Sequence, residues 1–395
     1  GQNFKNAIIS LGPTGGVVGS FKRANAAPLA GTATTIVSTA DSEVPAYAWY
    51  DPATESILWW SDADTAYANE DSSHMFEDIG DNYDNMNLID MAGINTSRVR
   101  NMSYMFHGGK WIIKRLNLTE FDTSNVEDMS YMFGSYHICS SSNIPDPIDF
   151  SGFRTFNVRT MKGMFDGACL PTIDIRNFNT FMVYDMSSMF ANLSVTTSID
   201  ASGLQVPNVS NVDRIFSRSK SLLSIDVSGW NLTGITDMSE MFSMTIVNPP
   251  ISNLDLSSFN TSNVTDMHAM FQGMAHLSDL KLQSFDTRNV TNMNNMFYWA
   301  FMDPENITLD LSSFDTRSVT DMGGMFFYSK LKTIYASPSF VTTAITVSPA
   351  SPNNPFMNNT NLVGGNGTQY ISPNNSSQYA HIDAPGNPGY FTQKP

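Results

Sequence analysis

Hydrophobic positions return along this chain in a fixed figure. In LDLSSFNTSNVTDMHAMF, apolar residues stand at Leu254, Leu256, Phe259, Val264, Met267, Met270 and Phe271. With the closing Phe as zero, these are positions −17, −15, −12, −7, −4, −1 and 0. The figure closes at Phe76, Phe106, Phe133, Phe165, Phe190, Phe216, Phe242, Phe271, Phe297 and Phe326, at intervals of 25 to 32 residues. A period of that size marks stacked supersecondary units. From Phe106 onward the internal spacing is constant, and all variation in length falls in the connection behind each Phe.

The figure predicts two elements per repeat. Positions −17 to −15 alternate apolar and polar, the period of a strand. Asn/Asp-Thr turn text follows. Val264, Met267, Met270 and Phe271 are then spaced as one face of a short helix, with Asn263 as N-cap and Asp266 in an acidic first turn. The expected fold class is α/β: a solenoid of about ten strand–turn–short-helix units with a parallel sheet and right-handed crossovers. Of 24 methionines, 17 occupy positions −4 or −1, which makes them core filler between stacked helices rather than metal ligands.

A stack of repeats needs a cover at each end. Residues 45–85 read as an N-terminal cap, with an aromatic hairpin from Ala46 to Trp60 turning at Asp51-Pro52 and a degenerate first unit. Residues 86–330 form the repeats, and 331–395 an irregular C-terminal cap. Residues 1–44 are Gly- and Ala-rich and read as an extended N-terminal arm.

Composition narrows the partners. Of 395 residues, 41% are hydrophobic, which supports a sizeable core, and only 15% are charged. The net charge of −16 argues against nucleic acid and against anionic membrane surfaces. No apolar run approaches the roughly 20 residues of a membrane-spanning helix. The first residue is Gly1 rather than Met, which reads as a product trimmed of its signal peptide.

The units FDTSNVEDMSYMF (Phe121–Phe133), FNTSNVTDMHAMF (Phe259–Phe271) and LDLSSFDTRSVTDMGGMF (Leu309–Phe326) resemble the BspA-like leucine-rich-repeat surface proteins of bacteria and some protists. LVGGNGTQY and YAHIDAPGNPGYFT are similar to the closing segment of that family. The resemblance covers roughly residues 86–395. It implies an extracellular, leucine-rich-repeat-like solenoid associated with adhesion to host proteins or other cells, and no enzymatic activity. The units ending at Phe165, Phe190 and Phe216 are degenerate.

Position −16 is polar between two core residues and should face outward. It is Asp at Asp90, Asp149, Asp174, Asp200, Asp226, Asp255 and Asp310, interrupted by Asn117 and Lys281. Strands about 4.8 Å apart would set these carboxylates against one another, at about 1 kcal/mol per pair in water. Ser at position −14 and the cations Arg176 and Lys281 can offset that repulsion. The column reads either as a hydrogen-bonded structural ladder or as a surface for a basic partner or Ca²⁺. Calcium is not favoured, because it wants six to eight converging oxygens. Asn or Asp at position −11 reads as an Asx turn.

Trp111, Tyr298 and Trp299, in irregular connections, are candidate contact residues, or local covers of the core. Cys139 and Cys169 lie in successive connections and could form a disulfide, with buried thiols as the alternative. No phosphate loop, nucleophile elbow or His pair at metal spacing is present, so no cofactor and no catalysis are expected. The leading functional expectation is an adhesive surface solenoid that binds other proteins or cell-surface components. The rival is a structural subunit of a surface filament or layer that assembles through its N-terminal arm.

Overall fold

The computed structural model describes residues 1–13, 17–79, 86–108, 113–135, 144–244, 250–303, 307–345, 354–372 and 377–395. They form two compact bodies, residues 1–183 with 193–196, and residues 184–192 with 197–395. The protein is mostly short strands and turns, with little helix and several small sheets of mixed direction.

In the N-terminal body, α1 (Gln2–Leu11) precedes β1 (Ser20–Arg23), β2 (Thr35–Ile36), β3 (Ala46–Asp51), β4 (Ser56–Ser61), β5 (Ala66–Tyr67), β6 (Leu88–Asp90), β7 (Ile94–Asn95) and β8 (Arg115–Asn117). β3 and β4 form an antiparallel hairpin across Asp51–Ser56. The six-stranded sheet runs β2-β3-β4-β1-β6-β8. The first 44 residues are therefore not an extended arm. β1 pairs in parallel with β6 through Ser20–Leu88 and Phe21–Ile89, next to the Leu88–Arg115 and Ile89–Leu116 pairs of successive repeats. It stands where the strand of a preceding repeat would stand. Phe4 of α1 packs edge-on against Phe21 and Phe76, and Lys5 pairs with Glu77 at 2.9 Å. Gly and Ala content suggested an arm; apolar Phe4, Ile8, Val18 and Phe21 turn it into a cover.

The C-terminal body holds β9 (Ser198–Asp200), β10 (Ser224–Asp226), β11 (Asn253–Asp255), β12 (Asp279–Lys281), β13 (Thr308–Leu311), β14 (Thr333–Ala336) and β15 (Thr392–Gln393). Repeat strands pair in parallel and in register, as in Leu254–Leu280 and Asp226–Asp200. At the far end β15 pairs with β14, and Phe391 packs edge-on against Phe326, Phe340 and Phe356. Asp383 ties this cap together: it accepts hydrogen bonds from the backbone N–H of Asn366, Thr368 and Gly389 and from the Thr368 hydroxyl.

The Met–Phe segments correct the expected helices. None of those described is helical. In repeat 8, N–H groups of Met267, Ala269 and Phe271 donate to the carbonyls of Asn292, Asn294 and Met296 in the next repeat, at 2.9–3.0 Å. Only the intervening Met270 N–H turns back, to the carbonyl of Met267. Position −2 is left-handed in every repeat, with φ from +52° to +65°, a conformation an α-helix cannot contain. A turn closed between residues i and i+3 also brings positions −7, −4 and −1 to one side, so helical spacing was a signal the turns could produce equally well.

Repeat 8 has three such corners, closed by i+3 bonds at positions −15 to −12, −10 to −7 and −4 to −1, and most other repeats share them. An Asx residue precedes most of these corners, with Lys281, Arg154, Gln205 and Thr160 as departures. In repeat 8, Asp255, Asn260 and Asp266 accept from the backbone N–H two residues on, at 3.0, 3.1 and 2.7 Å. Asn263 is not an N-cap; its amide donates to the Thr233 carbonyl of the preceding repeat at 2.7 Å.

Two apolar columns fill the core. Closing Phe rings stack at 5.7–5.9 Å from Phe76 to Phe165 in the N-terminal body and at 5.4–5.8 Å from Phe190 to Phe356 in the C-terminal body. Position −12 stacks likewise, as in Trp230–Phe259–Phe285–Phe314. The methionines at −4 and −1 are buried between them.

Candidate functional site

The acidic column stands on the outer face of the repeat strands, between buried neighbours such as Leu254 and Leu256 beside Asp255. Each carboxylate is held within its own repeat. Asp149, Asp174, Asp200, Asp226, Asp255 and Asp310 all accept from the backbone N–H two residues on. Ser202 also donates its hydroxyl to Asp200 at 2.7 Å, again inside one repeat.

Cations complete the column. Arg176 pairs with Asp174 at 2.6 Å, Lys281 with Asp255 at 3.3 Å, and Lys394 of the C-terminal cap with Asp310 at 2.6 Å. Hydrogen bonding from the Arg176 guanidinium lowers Asp174 to about 2. Backbone and side-chain bonding from Ser151 lowers Asp149, and bonding from Ser257 lowers Asp255. Burial would raise Asp310, but Lys394 and Ser312 bring it below the usual range. These groups form turns and pairs; they do not converge. Among the described residues, no group of three or more His, Cys, Asp or Glu is arranged to hold a metal ion.

The loop aromatics behave differently. Trp111 lies outside the described residues. Tyr298 and Trp299 come together in the C-terminal body with two residues the sequence reading left out, Phe327 and Tyr328. Tyr298 stacks on Phe327 at 4.8 Å and lies nearly parallel to Trp299, 5° apart at 6.2 Å. Tyr328 stands against Trp299 and Phe327 at 61° and 58°. Trp299 is 49% exposed and Tyr328 39%. The signal was in the text: MFYWA and MFFYS place aromatics one and two positions after the closing Phe of successive repeats.

Both outer rings sit on left-handed backbone, φ +56° at Trp299 and at Tyr328. Position +2 is left-handed elsewhere too, and there it is often Gly or Asn, as at Gly167, Gly273 and Asn192. A bulky residue in that conformation costs roughly 1 kcal/mol or more and gains little from core burial here.

The three stretches 70–192, 137–254 and 246–337 match the family model described as Mycoplasma protein of unknown function, DUF285, about two thirds of the chain together. The chain belongs to this family. No curated protein and no solved structure matches it.

The matched region leaves out α1, β1–β5 and the C-terminal cap beyond residue 337. Within the match, the degenerate repeats expose a second group that sequence reasoning missed. Position −9 is Ser at Ser97, Ser124 and Ser262 but Phe at Phe156 and Phe181, which are 47% and 51% exposed. Cys169 is buried and disulfide-bonded; Cys139 lies outside the described residues. Among the described residues, no helix is long and apolar enough to cross a membrane.

Proposed function

We propose that this DUF285 protein is an extracellular, non-enzymatic binding protein. Its repeats form a capped, leucine-rich-repeat-like solenoid of the BspA-like kind, and it attaches to other proteins or cell-surface components through exposed loop residues. The observation that carries this reading is the division of labour among polar groups. Asp and Asn at positions −16, −11 and −5 close turns, and Thr at position −10 joins repeats. These polar groups serve the repeat's own turns and joints, which supports a non-enzymatic reading. The departures from the repeat are exposed aromatics, which are enriched at binding surfaces.

The reading needs no cofactor, and the acidic column needs no Ca²⁺, because its carboxylates already have donors. Secretion to the cell surface agrees with a disulfide at Cys169.

The rival reading is a filament subunit joined through its N-terminal arm. The arm's strand pairs with β6 of the second repeat, and β15 pairs with β14 in the C-terminal body. Both placements favour a discrete binder over head-to-tail assembly. Adhesion of labelled protein to intact animal cells tests the proposal. Saturable binding displaced by unlabelled protein supports it; retention no greater than that of albumin overturns it.

A further inference from the structure

We propose that the Trp299–Tyr328 platform binds a neutral glycan. The inference rests on the reading of the chain as a surface binder and names the ligand class of one site.

The rings of the platform already pack on one another. Tyr298, Trp299 and Phe327 lie within about 5° of parallel where they touch, and Tyr328 braces two of them. Mutual packing of the rings reduces the ordering cost of association. The exposed faces carry negative π density. A pyranose ring presents a flat patch of weakly positive C–H groups that matches such a face.

The rim supplies what sugar hydroxyls need. A Cβ on Gly324 would lie 2.3 Å from Asn295 Oδ1 and 3.6 Å from Tyr298 Cδ2, so the Asn295 amide and the Tyr298 ring border the same small residue. A planar amide beside an aromatic floor offers a donor and an acceptor for vicinal hydroxyls, and a few such groups fix orientation on an apolar floor.

Charge selects within the class. The chain carries a net charge of −16. Sulfated or uronic glycans are repelled, so the ligand is a neutral hexose or N-acetylhexosamine chain.

Calorimetric titration of the full chain with neutral hexasaccharides tests this, using β-1,4-glucose, β-1,4-N-acetylglucosamine, α-1,4-glucose and β-1,4-mannose chains, with heparin and a poly-lysine peptide alongside. The expected result is saturable binding of at least one neutral chain, insensitive to salt and weakened about tenfold or more by Trp299→Ala or Tyr328→Ala. Trp299→Phe should retain part of the affinity, and far-ultraviolet circular dichroism should show each variant folded. Binding to none of the four chains overturns the inference. So does a neutral chain that binds wild type and Trp299→Ala alike. A salt-sensitive poly-lysine interaction lost in Trp299→Ala also overturns it, assigning the platform to a basic protein instead. Cell adhesion that persists in Trp299→Ala removes the glycan inference and leaves the broader binding role standing.

Discussion

Thr261 and Asp286 are joined twice. The Thr261 hydroxyl donates to the Asp286 carbonyl at 3.0 Å and accepts from the Asp286 N–H at 2.8 Å. Thr123 does the same with Arg154, Thr155 with Asn179, and Thr287 with Asp315. One buried hydroxyl thus satisfies a donor and an acceptor of the next repeat, where parallel strands are too short to do so.

Replacing Thr261 by Val keeps the shape and removes both bonds. Each buried backbone group left without a partner costs about 1–3 kcal/mol. We expect Thr261→Val to lower unfolding free energy by about 2–4 kcal/mol, and Thr261→Ser to lose much less, as measured by denaturant titration. Val206 and Leu232 occupy the same position in repeats 6 and 7 and are buried; the reverse change, Val206→Thr, should be tolerated there.

Gly163 takes position −2 under the Tyr131 ring. A Cβ there would lie 2.2 Å from Tyr131 Cε1, and the backbone is left-handed at φ +57°. Gly163→Ala should destabilise the N-terminal body by about 1–3 kcal/mol, read as a lower melting temperature. At Ala269, where φ is already +52°, the opposite change to Gly should be nearly neutral, since relief of strain offsets lost backbone entropy.

Acid should weaken the protein in a defined window. Asp149, Asp174, Asp255, Asp286, Asp310, Asp315 and Asp383 all have acidities shifted downward in the folded chain. Depressed folded values mean the stability they contribute is present above the ordinary carboxylate range. It is lost as pH falls through the folded values, which for Asp174 is about 2. Melting temperature should therefore be flat from neutral pH to about pH 5 and fall steeply below pH 4. Because the pairs are exposed, the neutral-pH melt should respond little to salt.

Calcium should not matter to folding. The acidic column is bonded within Asx turns and to Arg176, Lys281 and Lys394. Melting curves in calcium and in chelator should superimpose; a chelator-induced drop would show that the column holds the ion after all.

Much of this was readable beforehand, in the sense that the period, the outward acidic face, the inward methionines and the −11 turn follow from spacing alone. The helices did not survive, because three-residue spacing describes a tight turn as well as a helical face. Only the left-handed residue at −2 separates them. That position is Tyr, Glu, Arg or Ala as often as Gly, so it carries no mark in the text. The fate of the first 44 residues was hidden for another reason: Phe4, Ile8 and Phe21 are too few and too scattered to show a period, yet enough to close one end of a stack.

The same logic explains the site. Tyr298 and Trp299 stood out singly as loop aromatics. Their stacking with Phe327 and Tyr328 depends on the register between repeats, which follows only from aligning the closing Phe residues. Phe156 and Phe181 escaped notice because they lie in repeats dismissed as degenerate.

The most direct test of the account is the solution mass of the purified chain, measured by light scattering with electron microscopy of the same sample. End covers formed by α1 with β1, and by β15 with Phe391, predict discrete particles of 43.6 kDa. Ordered polymers would contradict it, showing that these covers open and that the protein is built to assemble.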